Sequence, residues 1–173
     1  ALGLAPEEAT GKVVRLVLPL GLSYRVLENS SFLVDASRKQ LQEFPGRLEH
    51  ALYVAWFPKL VSGPIERGKA FLGQLSRPAI VDNETIARAL SLILIALLRK
   101  IVLADTIRGL LPPDLWVKPP EDAGPVLLFL LLASVFVVYN DFAGYTDMVR
   151  GVSALFGIEL SRNFAAPFFA RNF

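Results

Sequence analysis

The stretch Ala123-Gly-Pro-Val-Leu-Leu-Phe-Leu-Leu-Leu-Ala-Ser-Val-Phe-Val-Val-Tyr-Asn140 runs straight into Asp141-Phe-Ala-Gly-Tyr-Thr-Asp147. The first part carries no charge and approaches the length of about 20 apolar residues that a helix needs to cross hydrocarbon. The second part places two carboxylates and a tyrosine at its end. Ionisable groups are costly in lipid, so a protein-lined polar site within a membrane is expected there. Asp141 and Tyr145, at i and i+4, share a helix face and can bond a common polar group. Asp147 falls on a different face, where Arg150 at i+3 can neutralise it. Two readings stay open: a polar site that binds or orients a substrate in a dry channel, or a helix cap at Asp141 with an Asp147–Arg150 pair that locks packing. The expected elements are a span over Gly124 to Asn140 and a further helix from about Phe142 to Phe156, closed by Gly157. Gly144 and Gly151, seven apart, and the small pair Ser153 and Gly157 let this region approach its neighbours closely.

Composition agrees with a membrane setting. The 173 residues are 53% hydrophobic, above the usual share for soluble domains of about 45 to 50%, and mean hydropathy is +0.47. A soluble helical domain with a rich core is the competing reading. The net charge of +2 is spread over several loops, and no basic run is dense enough for nucleic-acid binding. The absence of cysteine excludes disulfides, a thiolate nucleophile and a cysteine-ligated metal. The lone histidine, His50, beside Glu49 and Arg47, reads as an interfacial or structural residue, and no nucleophile-elbow pattern surrounds any serine. One His without Cys argues against a metal site. No basic region with a following apolar core opens the chain at Ala1, and no polar tail closes it at Phe173, so both ends are expected to be cuts through a longer polypeptide.

Upstream, Pro6, Glu7 and Glu8 suit the first turn of a helix. The apolar run Val13 to Asp35 is interrupted by Arg15, Arg25 and Glu28, and Pro19 with Gly21 predicts a kinked or broken helix. Arg25 and Glu28, at i and i+3, are expected to pair towards the interior. Leu48 to Ile65 contains Pro58, Lys59, Gly63 and Pro64 and reads as re-entrant or interfacial. The basic loops on either side favour that reading, since a crossing would place them on opposite faces of the membrane. Asp82 or Asn83 caps a helix from Glu84 or Thr85 to about Ile107. Arg99 and Lys100 interrupt it, so they snorkel, face a partner or mark the boundary. Lys118-Pro-Pro-Glu-Asp122 is expected to be a rigid polar turn.

Five segments in order carry a resemblance. Leu18-Pro-Leu-Gly-Leu-Ser23, Phe57-Pro-Lys-Leu-Val-Ser-Gly-Pro-Ile65, Leu98-Arg-Lys-Ile-Val-Leu-Ala-Asp105, Asp141-Phe-Ala-Gly-Tyr-Thr-Asp-Met148, and Gly157 with Asn163-Phe-Ala-Ala-Pro167 resemble elements of the membrane-bound O-acyltransferase family. The similarity is to the bacterial branch that includes alginate O-acetyltransferases and teichoic-acid D-alanyl transfer proteins. Ala143 stands where that pattern prefers Ser, and Phe168 where it prefers Tyr. Arg25, Glu28 and Asn29 replace a more aromatic stretch. The family's catalytic histidine elements are expected beyond Phe173, and His50 matches neither of them.

The resemblance implies an all-α, multi-pass transmembrane helical bundle with broken or re-entrant segments. Residues 1–173 would then form one membrane-embedded piece of a longer domain in a bacterial inner membrane. It implies transfer of an acyl group, acetyl foremost, from a thioester donor such as acetyl-CoA to a hydroxyl of a polysaccharide or relay acceptor. No cofactor is bound. A histidine acts as base and donors stabilise the oxyanion. This piece supplies tunnel walls without the base and is expected to be inactive alone. Asp141, Tyr145, Asp147 and Asn163 are the expected substrate-path or supporting residues, ahead of Lys59 and Arg99. The implied partners are the bilayer, the remaining helices and an extracytoplasmic acetyl-transfer protein. A transporter or channel component, with the carboxylates lining an ion route, and a non-catalytic scaffold of polysaccharide assembly are the alternatives.

Overall fold

The computed structural model describes residues 21–38, 41, 45–113 and 124–164, and among them every regular element is helical. In order these are α1 (Leu22–Ser37), α2 (Arg47–Val54), a 3-10 turn (Phe57–Lys59), α3 (Gly68–Leu75), α4 (Asn83–Leu97), a π-helical segment (Leu98–Asp105), α5 (Thr106–Leu110) and α6 (Gly124–Leu155). The expected helix start at Pro6, the kink at Pro19, the turn at 118–122 and the end of the last motif at Pro167 lie outside the described residues.

The longest element is α6, with 32 residues, or about 48 Å at 1.5 Å per residue. It runs unbroken through Asn140 and Asp141, where a span followed by a separate helix was expected. No proline follows Pro125 within it, and its polar side chains are satisfied without opening the backbone. Asn140 Nδ2 donates to the Phe136 carbonyl at 2.9 Å, and the Asp141 carboxylate finds cations on a neighbouring helix. Asp141 is therefore a mid-helix residue and not a cap. The helix ends as the glycine predicts: Gly157 adopts φ 75°, the Ile158 amide donates to Ser153 at 3.1 Å and the Gly157 amide to Ala154 at 3.0 Å.

Asp82 opens α4 by accepting from the Thr85 amide at 2.8 Å, and hydrogen bonds from Thr85 hold its carboxyl below the ordinary range. Helix continues from 83 to 110, but 98–105 winds with i to i+5 bonds. The wide turn carries Arg99 and Lys100, the two charges that interrupt the apolar pattern.

The most extensive helix contact is the antiparallel packing of α4 and the π segment on α6. Small residues on both sides allow it. A Cβ on Gly151 would stand 2.8 Å from the Ala89 carbonyl oxygen, and one on Gly144 would stand 3.0 Å from that of Ala96. Ala89 and Ala96 are themselves buried.

The second packing centre joins α1, α2, α3 and the segment after α6 through Phe32, Tyr53, Phe71, Val149, Ile158 and Leu160. Trp56 Nε1 donates to Ser153 Oγ at 2.9 Å, tying the 3-10 turn to α6. With eight residues, α2 rises only about 12 Å, far short of hydrocarbon thickness, so Leu48 to Ile65 forms no membrane-length helix.

The expected Arg25–Glu28 pair is not formed. Glu28 is 1% exposed and pairs instead with Lys59, also 1% exposed, while Arg25 Nε donates to the Leu60 carbonyl at 3.4 Å. The Lys59 ammonium lies 4.4 Å from the Tyr53 ring centre and 4.7 Å from that of Phe71. An ammonium so enclosed needs a carboxylate, and the loop that follows α2 brings it to Glu28.

Only 22% of the most apolar window of α6 is buried. Phe129, Leu132 and Val138 are among its exposed residues, and Leu90, Leu94 and Leu98 continue an exposed apolar surface on the adjacent helix. This surface needs lipid or further helices to cover it. Among the described residues α6 is the helix long and apolar enough to cross a membrane.

Candidate functional site

One turn of α6 faces the loop that follows the 3-10 turn. Between them lies an open groove of about 400 Å³, lined by Val61, Ser62, Val138, Asp141, Phe142 and Tyr145. The spacing that puts Asp141 and Tyr145 on one face of α6 points both into this groove. Val138, a turn earlier, adds an apolar wall. The opposite wall is held by Gly63, whose φ of 158° is extended backbone and whose Cβ would stand 3.0 Å from Lys59 Cβ and 3.3 Å from Val149 Cγ1. A bulkier residue would push this wall away from α6. Tyr24 on α1 steadies the same loop, its hydroxyl donating to the Pro64 carbonyl at 2.8 Å.

Asp141 is neutralised from the neighbouring helix. Lys100 Nζ lies 2.8 Å from its Oδ1 and Arg108 Nη2 lies 2.5 Å from its Oδ2. Asp105 shares both cations, at 3.0 Å from Lys100 and 3.3 Å from Arg108. Two positive and two negative groups thus form a network of which Asp141 is the member that lines the groove. The π turn contributes Lys100 and Asp105 to this network. Both oxygens of Asp141 are thus engaged by cations of the neighbouring segment, which fixes the carboxylate at the groove.

Asp147 takes the locking arrangement. Arg99 Nη1 donates to one oxygen at 2.9 Å and Arg150 Nη1 to the other at 3.0 Å, so the expected i+3 pair is present and a second helix joins it. Asp147 does not line the groove. Asn163 is exposed in the segment after α6 and lies outside the groove lining. Its neighbour Phe164 packs edge-on against Phe142 at 5.5 Å between centroids, which brings this segment to the groove's rim. Lys59 lies under the loop in its buried pair, so it supports the wall and does not face the groove.

His50 sits on α2, its ring 4.7 Å from that of Phe32, and it is not part of the groove lining. Among the described residues no group of three or more acidic or histidine side chains is placed to hold a metal ion.

Ser62, Asp105 and Arg108 were not singled out in the sequence. Asp105 and Arg108 carry a local signal, an i and i+3 pair of opposite charge. Nothing local reveals that Ser62 opposes Tyr145, because 83 positions of chain fold back between them.

No family model matches the chain. It is 27% identical over 92% of its length to a probable alginate O-acetylase of Pseudomonas aeruginosa, covering 30% of that protein. It is 26% identical over 93% of its length to a peptidoglycan O-acetyltransferase of Helicobacter pylori, covering 35% of it. A teichoic acid D-alanyltransferase of Streptococcus thermophilus is 29% identical over 88% of the chain, which covers 38% of it. The resemblance to membrane-bound O-acyltransferases holds. The chain spans about a third of the length of these curated relatives.

The segments that resemble the family are separated in sequence and adjacent in space. Gly21, in the first of them, has φ 75°, and a Cβ there would stand 2.5 Å from the Leu60 carbonyl oxygen in the second. The second segment faces the fourth across the groove, through Ser62 and Tyr145. The third packs on the fourth through Lys100 to Asp141 and Arg99 to Asp147. The fifth begins at Gly157, the cap of the helix that carries the fourth. Together they build the groove, its floor and its clamps.

Proposed function

We propose that the chain is part of a multi-pass membrane O-acyltransferase of the bacterial cell envelope, and that the groove between α6 and the 60–65 loop forms one wall of its transfer path. The sequence similarity along nearly the whole chain to two O-acetyl transferring proteins and a D-alanyl transferring protein carries this reading. Acetyl and D-alanyl transfer share one chemistry, attack of a hydroxyl on an activated acyl carbonyl. The donor proposed is an acyl thioester such as acetyl-CoA, the acceptor a hydroxyl of an envelope polysaccharide or a relay molecule. An extracytoplasmic transfer protein is the proposed partner.

The groove residues suit orientation. Val61, Val138 and Phe142 exclude water from one side, which limits hydrolysis of a reactive acyl group. The Tyr145 hydroxyl is the donor available to a substrate oxygen, and Ser62 lies opposite it. Lys100 and Arg108, behind Asp141, hold its carboxylate in place at the groove wall. The groove's size lies within the range of small-ligand sites, about 300 to 1,000 Å³. His50 is outside it, so the base that takes the acceptor proton is supplied elsewhere in the longer protein.

The test uses membranes holding the full-length protein, a labelled acyl thioester and candidate glycans. Label appearing in glycan as an alkali-labile ester supports the reading. Label that stays in the thioester, with an ion flux across the same vesicles, would instead favour the transport alternative.

A further inference from the structure

A second hollow, of about 570 Å³, opens between α1 and α3, away from the Asp141 groove, and its rim holds Asp35, Arg67, Lys69 and Arg77. Ala70 and Gly73, exposed on α3, give it an apolar floor beside Gln74, and a Cβ added at Gly73 would meet nothing within 4 Å. The charges do not balance. Asp35 is buried and accepts from Arg67 Nη1 at 2.8 Å, which fixes the guanidinium. Among the described ion pairs none gives Lys69 or Arg77 a carboxylate. Among the described residues, then, Lys69 and Arg77 have no carboxylate partner, and both line a hollow whose remaining lining includes Ala70 and Gly73.

The depth of the hollow follows from α3's anchorage. Gln74 exchanges hydrogen bonds with the Glu159 backbone, donating at 2.9 Å and accepting at 2.7 Å, and Gly157 leaves room for Ala79. Both contacts fix α3 at the C-terminal end of α6. Taken as a membrane span, α6 at about 48 Å is long enough to carry this end to the headgroups of a bilayer about 40 to 45 Å thick.

We propose that this hollow binds an anionic phospholipid. Lys69 and Arg77 pair with the phosphate oxygens, Arg67, oriented by Asp35, supplies a third donor, and the floor over Ala70 and Gly73 receives the glycerol and upper acyl carbons. Basic side chains near a membrane surface attract anionic lipid in this way. The proposal rests on α6 as a membrane span and is independent of acyl transfer.

The test uses the full-length protein in nanodiscs of equal phosphatidylglycerol and phosphatidylcholine, with lipid retained on release into the gas phase read by native mass spectrometry. Wild type is expected to retain phosphatidylglycerol selectively. Lys69→Gln/Arg77→Gln should weaken that retention at least about tenfold at unchanged thermal midpoint. Gly73→Leu, which fills the floor and leaves every charge in place, should weaken it as well. Equal retention of the two lipids by wild type overturns the proposal. So does retention that both variants leave unchanged. Displacement of the lipid by millimolar inorganic phosphate, with no effect of Gly73→Leu, would mark a free-phosphate site and overturn the lipid assignment.

Discussion

Asp147 of α6 accepts a hydrogen bond from Arg99 at 2.9 Å, across 48 positions of sequence, and another from Arg150 of its own helix at 3.0 Å. One carboxylate thus fastens the π segment to the long helix just below the groove. Replacing it by alanine leaves two half-buried guanidinium groups facing each other. Asp147→Ala is expected to lower the stability of the full-length protein by on the order of 2 kcal/mol, between the limits for exposed and buried pairs. Thermal unfolding in detergent measures this, and transfer per folded molecule should stay within about twofold of wild type, an order-of-magnitude margin of about 0.4 kcal/mol.

Asp141 should behave differently. It lines the groove and holds Lys100 and Arg108, so Asp141→Ala is expected to reduce acyl transfer about tenfold or more, and to reduce folded yield much less. Transfer unchanged at normal yield would remove Asp141 from the substrate path.

The buried pair gives a double-variant test. Lys59→Met strands the Glu28 carboxylate and should cost about 3 to 5 kcal/mol, whereas Glu28→Met/Lys59→Met should recover most of that loss. The comparison is made by denaturation midpoints. A double variant no more stable than Lys59→Met alone would mean that the pair's charges are not what the single change disturbs.

Helix contact predicts an asymmetry between glycines. Gly151→Ala drives a methyl group against Ala89 and Ile93 and should destabilise by about 1 to 3 kcal/mol. Gly109→Ala meets nothing within 4 Å and should gain a few tenths to about 1 kcal/mol from helix propensity. Midpoints that shift alike for both would argue against the close approach of α4 and α6.

The Asp82 cap titrates. Hydrogen bonds from Thr85 depress its carboxyl in the folded state, so its contribution is complete above the ordinary carboxylate range and is lost as pH falls through the depressed value. At neutral pH the cap is fully formed. Asp82→Ala should therefore speed amide exchange at Thr85 and its neighbours at neutral pH, while Asp82→Asn largely preserves protection.

Much of this was legible along the chain because it is local. The apolar run fixes the first half of α6, Asp82 fixes the start of α4, and Gly157 fixes the end of α6, since caps and periodicity act within one or two turns. The shared face of Asp141 and Tyr145 follows from 3.6 residues per turn and survives in the groove. The break expected at Asp141 was misread because polar residues ending an apolar run look like a helix boundary. With cations supplied by the adjacent helix, the backbone has no reason to stop there.

Sequence alone determined the apolar run that forms the first half of α6, the cap at Asp82, the glycine stop at Gly157, and the ordered segments whose resemblance to the acyltransferase family implies an all-helical chain. The tertiary structure alone decided which charges meet: Glu28 with Lys59 and not Arg25, Asp141 with Lys100 and Arg108, and Ser62 opposite Tyr145. The reason is one of magnitude. A local i and i+3 pair contributes about 0.2 to 0.5 kcal/mol, whereas leaving a carboxylate buried and unpaired costs several kcal/mol. Burial is set by how the helices pack, so packing overrides spacing in choosing each partner.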